Sequence, residues 1–174
     1  MYTKIIISVI LLIIVYEVTI AISRKVNRRK VFAMAKRRAL TTGLPLLVIG
    51  DPYNGIMSIS TGADYGCGDS CLDLTGCPLC QIGIKGKLED KIVELDLNKY
   101  IVFISCVLEY TDDLPLIVKY LNAMNPENLF IVNVEWYTLT AYLYPYFLTR
   151  EQPPKYVIYE CPPWQKHITY KRIN

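Results

Sequence analysis

Histidine is nearly missing from this chain: His167 is the only one among 174 residues. A thiol nucleophile that needs a neighbouring imidazole is therefore left without a base over almost the whole sequence. Acidic residues are nearly missing from one part of it. Residues 1–38 carry nine Lys/Arg and a single acid, Glu17. The remainder carries ten basic and fifteen acidic residues, so the formal charge of +3 divides into +8 on the N-terminal segment and −5 beyond it. Such a division points to two environments, and away from a nucleic-acid-binding domain. Internal repeats and low-complexity tracts are absent as well. A chain that is 52% hydrophobic is not disordered, and its length suits one domain with an appendage.

The appendage is the stretch IIISVILLIIVYEVTIAI, Ile5 to Ile22, with Glu17 as its one charge. Its 18 residues span ~27 Å as a helix, enough for a thin bilayer core. In lipid the backbone must satisfy its own hydrogen bonds, which leaves helix as the only single-segment solution despite the many β-branched residues. A basic run follows, from Arg24 and Lys25 through Arg28, Arg29 and Lys30 to Arg38, against Lys4 alone on the other side. The positive-inside rule then places the C-terminal domain on the cytosolic face. A dense basic run just after an apolar segment resists export, so the reading is an uncleaved anchor rather than a removed leader. The same run should hold anionic membrane lipid, at ~1 kcal/mol per residue near the surface. Glu17 reads as a carboxylate reaching for the interface, or as a contact with another membrane helix. The expected domains are thus residues 1–38, anchor and juxtamembrane segment, and residues 39–174, a folded domain.

From residue 39 onward short apolar runs alternate with turn signals. Strands are expected over 44–50, 71–74, 91–95, 100–108, 128–134, 155–160 and 167–173, and helices over 112–124 and 135–148. In the first helix Leu116, Ile117, Tyr120, Leu121 and Met124 recur at helical spacing, with Asp112 or Asp113 as the cap and Pro115 in the first turn. The second holds the aromatic stretch WYTLTAYLYPYF, which suits packing on a sheet or a protein contact. The pattern predicts an α/β fold around a mostly parallel sheet with helices on both faces, since its central strands are apolar throughout. A terminal hairpin would add an antiparallel edge.

Four of the six cysteines crowd into YGCGDSCLDLTGCPLC. Cys67, Cys71, Cys77 and Cys80 form C-x3-C-x5-C-x2-C. Four thiolates can hold one tetrahedral zinc, and the Cys77–Cys80 bite is the usual one for two ligands from a single turn. Disulfides such as Cys67 with Cys80 or Cys77 are a second reading, disfavoured by a reducing cytosol. Reduced, buried thiols are the third. Cys106 and Cys161 lie in or at the end of apolar strands and read as core packing.

The run YIVFISCVLEYTDDLPLIVKYLNAMNPENLFIVNV resembles the fourth strand, following helix and fifth strand of class I S-adenosylmethionine-dependent methyltransferases. Ser105, Val107, Leu108, Glu109, Tyr110 and Asp112 carry the likeness. LPLLVIGDPYNG then falls at the family's first strand and glycine loop, and CLDL at its second strand. The resemblance implies a Rossmann-like fold and an S-adenosylmethionine site at Gly50, Asp51, Gly55, Asp73, Ser105 and Glu109. Here the glycine loop keeps only Gly50 and Gly55; Pro52 between them lacks an amide donor and Tyr53 adds bulk. The domain thus resembles a degenerate member, with no catalytic residue to carry over. An anchor fused to such a domain is also similar to small proteins of large nucleocytoplasmic DNA viruses. That likeness implies a virion membrane or minor capsid component, with structural proteins and lipid as partners and no direct nucleic acid.

Overall fold

A computed structural model describes residues 2–50, 66–133, 154–162 and 167–173, without the side chains at 3, 21, 24, 25 and 160. The chain opens with one unbroken helix, α1 (Tyr2–Thr42), 41 residues and ~60 Å long. Its N-terminal part is apolar all round and exposed, from Ile5 at 53% to Val18 at 52%. Thr19 satisfies its hydroxyl within the helix by donating to the Val15 carbonyl at 2.8 Å. Among the described residues no helix is long and apolar enough to cross a membrane.

Gly43, in the left-handed conformation at φ +70°, ends α1 and turns the chain into the sheet. The strands are β1 (Leu46–Ile49), β2 (Ser70–Asp73), β3 (Gly83–Lys85), β4 (Ile101–Ser105) and β5 (Leu129–Val132). They lie in the order β3-β2-β1-β4-β5, all parallel. The order reverses direction between β1 and β4. Helix α2 (Leu88–Ile92) precedes β4, and α3 (Leu114–Asn122) connects β4 to β5.

The central strands are apolar, with Ser105 at the end of β4 as the exception, because both faces are covered. Leu47, Ile49, Val102, Ile104, Leu129 and Ile131 face α2 and α3. Their neighbours in sequence, among them Val48, Phe103 and Phe130, face Val31 and Ala35 of α1, which are fully buried. Phe32 packs edge-on against Phe103 with ring centroids 5.3 Å apart. The C-terminal part of α1 is therefore one whole layer of the domain, and a boundary at residue 38 falls inside it. An apolar stripe of Val31, Phe32, Ala35 and Ala39 within the basic run is the sequence signal for this packing.

Three further expectations differ from the fold. The run 91–95, expected as a strand, is the end of α2 and the turn after it, because Leu88 and Ile92 meet the core one helical turn apart. β3 is an added three-residue edge strand. The terminal hairpin, β6 (Tyr156–Glu160) with β7 (Thr169–Arg172), forms its own two-stranded antiparallel sheet. It is held to the main domain by the Ile131 N–H donating to the Pro162 carbonyl and the Lys155 N–H donating to the Glu109 carbonyl. The aromatic helix expected over 135–148 lies outside the described residues.

Candidate functional site

Two neighbouring places gather the chemistry: the cysteine-rich corner beside β2, and the edge where the parallel strands end.

The corner is built by backbone bonds to β1. The Asp69 carboxylate accepts from the Leu46 N–H at 2.7 Å, and the Asp69 N–H donates to the Leu46 carbonyl at 2.9 Å. Gly68 makes this approach, since a Cβ there would stand 2.6 Å from the Leu46 carbonyl oxygen. Cys71 then enters β2 facing α1, and the β2–β3 connection folds back on the same side. A turn with the Cys80 N–H donating to the Cys77 carbonyl at 3.0 Å brings Cys77 and Cys80 over Cys71. Cys71 is fully buried and Cys77 nearly so.

Cys67 is joined to Cys80 and Cys71 to Cys77 as disulfides, with Cα separations of 5.4 and 6.2 Å. The sulfurs of Cys71, Cys77 and Cys80 also all lie within 4.8 Å of one another. Thiolates around one zinc at ~2.3 Å stand ~3.8 Å apart, so the cluster fits a soft metal in its reduced state. All four sequence-selected cysteines therefore meet in one place, three of them at metal-holding distance. The corner touches β1 too: the Cys71 sulfur lies 4.0 Å from the Gly50 carbonyl oxygen.

The C-terminal edge of the sheet brings together Gly50, Asp73 and Ser105 from β1, β2 and β4. The Gly50 N–H donates to the Leu72 carbonyl at 2.8 Å, beside Asp73. The Asp73 carboxylate accepts from both the backbone N–H and the hydroxyl of Thr75, at 2.9 and 2.8 Å, and so shapes its own turn. Ser105 is 4% exposed and Glu109 2%. Glu109 sits in a single 3-10 turn, Leu108–Tyr110, just past β4. Asp51 and Gly55 lie outside the described residues.

Two features of this edge have no signal in the sequence. Cys106 takes φ +54°, the only positive value for a non-glycine among the described residues. Arg28 of α1 reaches across and its Nη2 donates to the Cys106 sulfur at 3.0 Å. Cys161 lies nearby, receiving a bond from Asn133 Nδ2 at 3.2 Å. Burial and then the Glu109 charge push its thiol up to about 12, against the opposing effect of that bond.

No protein-family model, no curated protein and no solved structure matches this chain. Its chemistry rests on its own geometry: a thiol cluster that can be cross-linked or metallated, and a strand edge with a buried Glu109 and an Asp73 held by its own turn.

Proposed function

We propose that the protein is a single-pass, membrane-anchored interaction protein whose α/β domain works at the cytosolic face, as a structural component of a membrane or capsid layer. The observation that carries this is α1. One end of the helix is apolar on all sides and exposed, and the other is the core layer of a folded domain. The sequence continues apolar through Ala21 to Ile22, completing 18 residues with one charge, and the basic run begins directly after. Glycine-loop replacement by DPYN, and a buried Glu109, support an interaction role over cofactor chemistry.

Membrane extraction tests it. The full chain should stay with membranes in alkaline carbonate and high salt and leave only in detergent. Deletion of residues 2–22 should release it. Extraction of the intact chain by carbonate alone would defeat the reading.

A second reading, a membrane-tethered S-adenosylmethionine-dependent methyltransferase, is favoured by the strand order, which draws Gly50, Asp73 and Ser105 to the reversal point where α/β sheets hold ligands. Calorimetric titration separates the two. Micromolar binding of S-adenosylmethionine that is lost in Asp73→Ala would replace the structural reading; no heat at millimolar cofactor would remove the enzyme. For the cysteine corner we propose zinc as the metal of the reduced state. Elemental analysis under reducing conditions should find about one equivalent per chain, and its absence removes zinc.

A further inference from the structure

The path of α1 along the sheet carries an orientation. Arg38 bonds Glu127 and Asn128, just ahead of β5. Phe32 meets Phe103 in the middle of β4. Arg28 reaches Cys106, just past the end of β4. Followed back toward its N-terminus, the helix climbs from the edge where the strands begin to the edge where they end. Residues before Arg28 extend past that second edge. The helix is unbroken from Tyr2 to Thr42, so six residues separate Ile22 from Arg28 by ~9 Å along the axis. The headgroup layer outside the hydrocarbon is of order 5–8 Å. With Ile22 at the hydrocarbon boundary, the strand ends stand beside the headgroups. The strand beginnings, at the level of Arg38, stand ~15 Å farther out.

We propose that the C-terminal edge of the parallel sheet, at Gly50, Asp73 and Cys106, is the membrane-facing surface of the domain, and that its ligand is the anionic phospholipid headgroup. The proposal rests on the anchor reading above. Charge supports this occupant. Arg29 and Lys30 are exposed on α1 at this level and the sequence places Arg24 and Lys25 one turn before them; a basic residue near an anionic surface adds ~1 kcal/mol. Of the acids at this edge, Asp112 is paired with Lys87 and Lys155, and the Asp73 carboxylate is engaged by the N–H and hydroxyl of Thr75.

The test uses the full chain in lipid nanodiscs containing phosphatidylserine and a lipid with a headgroup nitroxide. A fluorescent amino acid replaces either Leu74, exposed just past β2, or Lys99, exposed just ahead of β4. Leu74 should be quenched several-fold more strongly than Lys99. Equal quenching, or stronger quenching at Lys99, overturns the orientation while attachment stands. Failure to enter nanodiscs at all overturns the anchor reading, and is seen first by flotation. Replacing phosphatidylserine by neutral lipid should weaken quenching at Leu74; an unchanged signal overturns the headgroup assignment. Added soluble glycerol phosphate should leave quenching unaltered, and relief by it would mean that free phosphate is the ligand.

Discussion

At Gly50 one hydrogen in place of a methyl group decides how β1 and β4 end. Its φ is +101°, and a Cβ would stand 2.8 Å from the Ser105 carbonyl oxygen and 3.0 Å from Val107. Gly50→Ala should cost about 1–3 kcal/mol, read as a lowered denaturation midpoint with an unchanged slope. Cys161 gives a second test. With its thiol held near 12 by burial and Glu109, it should resist alkylation by iodoacetamide at mildly alkaline pH until the protein unfolds. Labelling at the rate of a free thiol would contradict that environment. Residue-level chemistry was only partly legible in the sequence. The cysteine spacing announced a cluster because short loops force its members together. It left the pairing open, because that depends on which way β2 faces. The motif singled out Glu109 but did not reveal its burial in a 3-10 turn.

Among the elements, α3 was the most readable. Its apolar spacing, its cap and its first-turn proline agree, and Asp113 accepts from the Leu116 N–H at 3.0 Å as the cap requires. Asp113→Ala should cost about 1 kcal/mol by thermal melting. Asp112, one residue earlier, ties elements together instead. It bonds Lys87 ahead of α2 and Lys155 ahead of β6, and its carboxyl is held down to about 2, first by Lys155 and then by Lys87. A depressed carboxylate stabilises fully above its ordinary range and loses that contribution as pH falls toward 2. Wild type should therefore lose stability between about pH 4 and 2 more steeply than Asp112→Asn, as compared by denaturant midpoints. Equal slopes would mean that these exposed pairs contribute nothing. The short elements α2 and β3 were not legible, because a five-residue helix and a three-residue strand are defined by what they pack on more than by local pattern.

For the whole molecule, the α/β class was legible because strands buried on both faces must be apolar throughout. The division of labour in α1 was obscured by charge: the basic run reads as a juxtamembrane segment holding anionic lipid, while a narrow apolar stripe inside it supplies a core layer. A chain of residues 39–174 would expose Val48, Phe103 and Phe130 to water. It should aggregate or lose its near-ultraviolet circular dichroism, whereas residues 24–174 should remain monomeric and folded by size-exclusion chromatography. Equivalent behaviour of both would show that α1 is dispensable to the fold. Phe103→Ala, removing a fully buried ring from the contact with Phe32, should cost about 3–5 kcal/mol.

Because α1 has no break between its exposed and its packed ends, the domain has no swivel. In the anchored arrangement proposed above, its bearing around the membrane normal would be set by the rotational phase of the helix. One residue inserted between Ile22 and Arg28 would turn the domain by about 100° and lift it by only ~1.5 Å. Spacing in this short stretch would therefore be an angular code under that proposal: copies arranged in a layer would lose their mutual alignment long before any of them lost its hold on the bilayer.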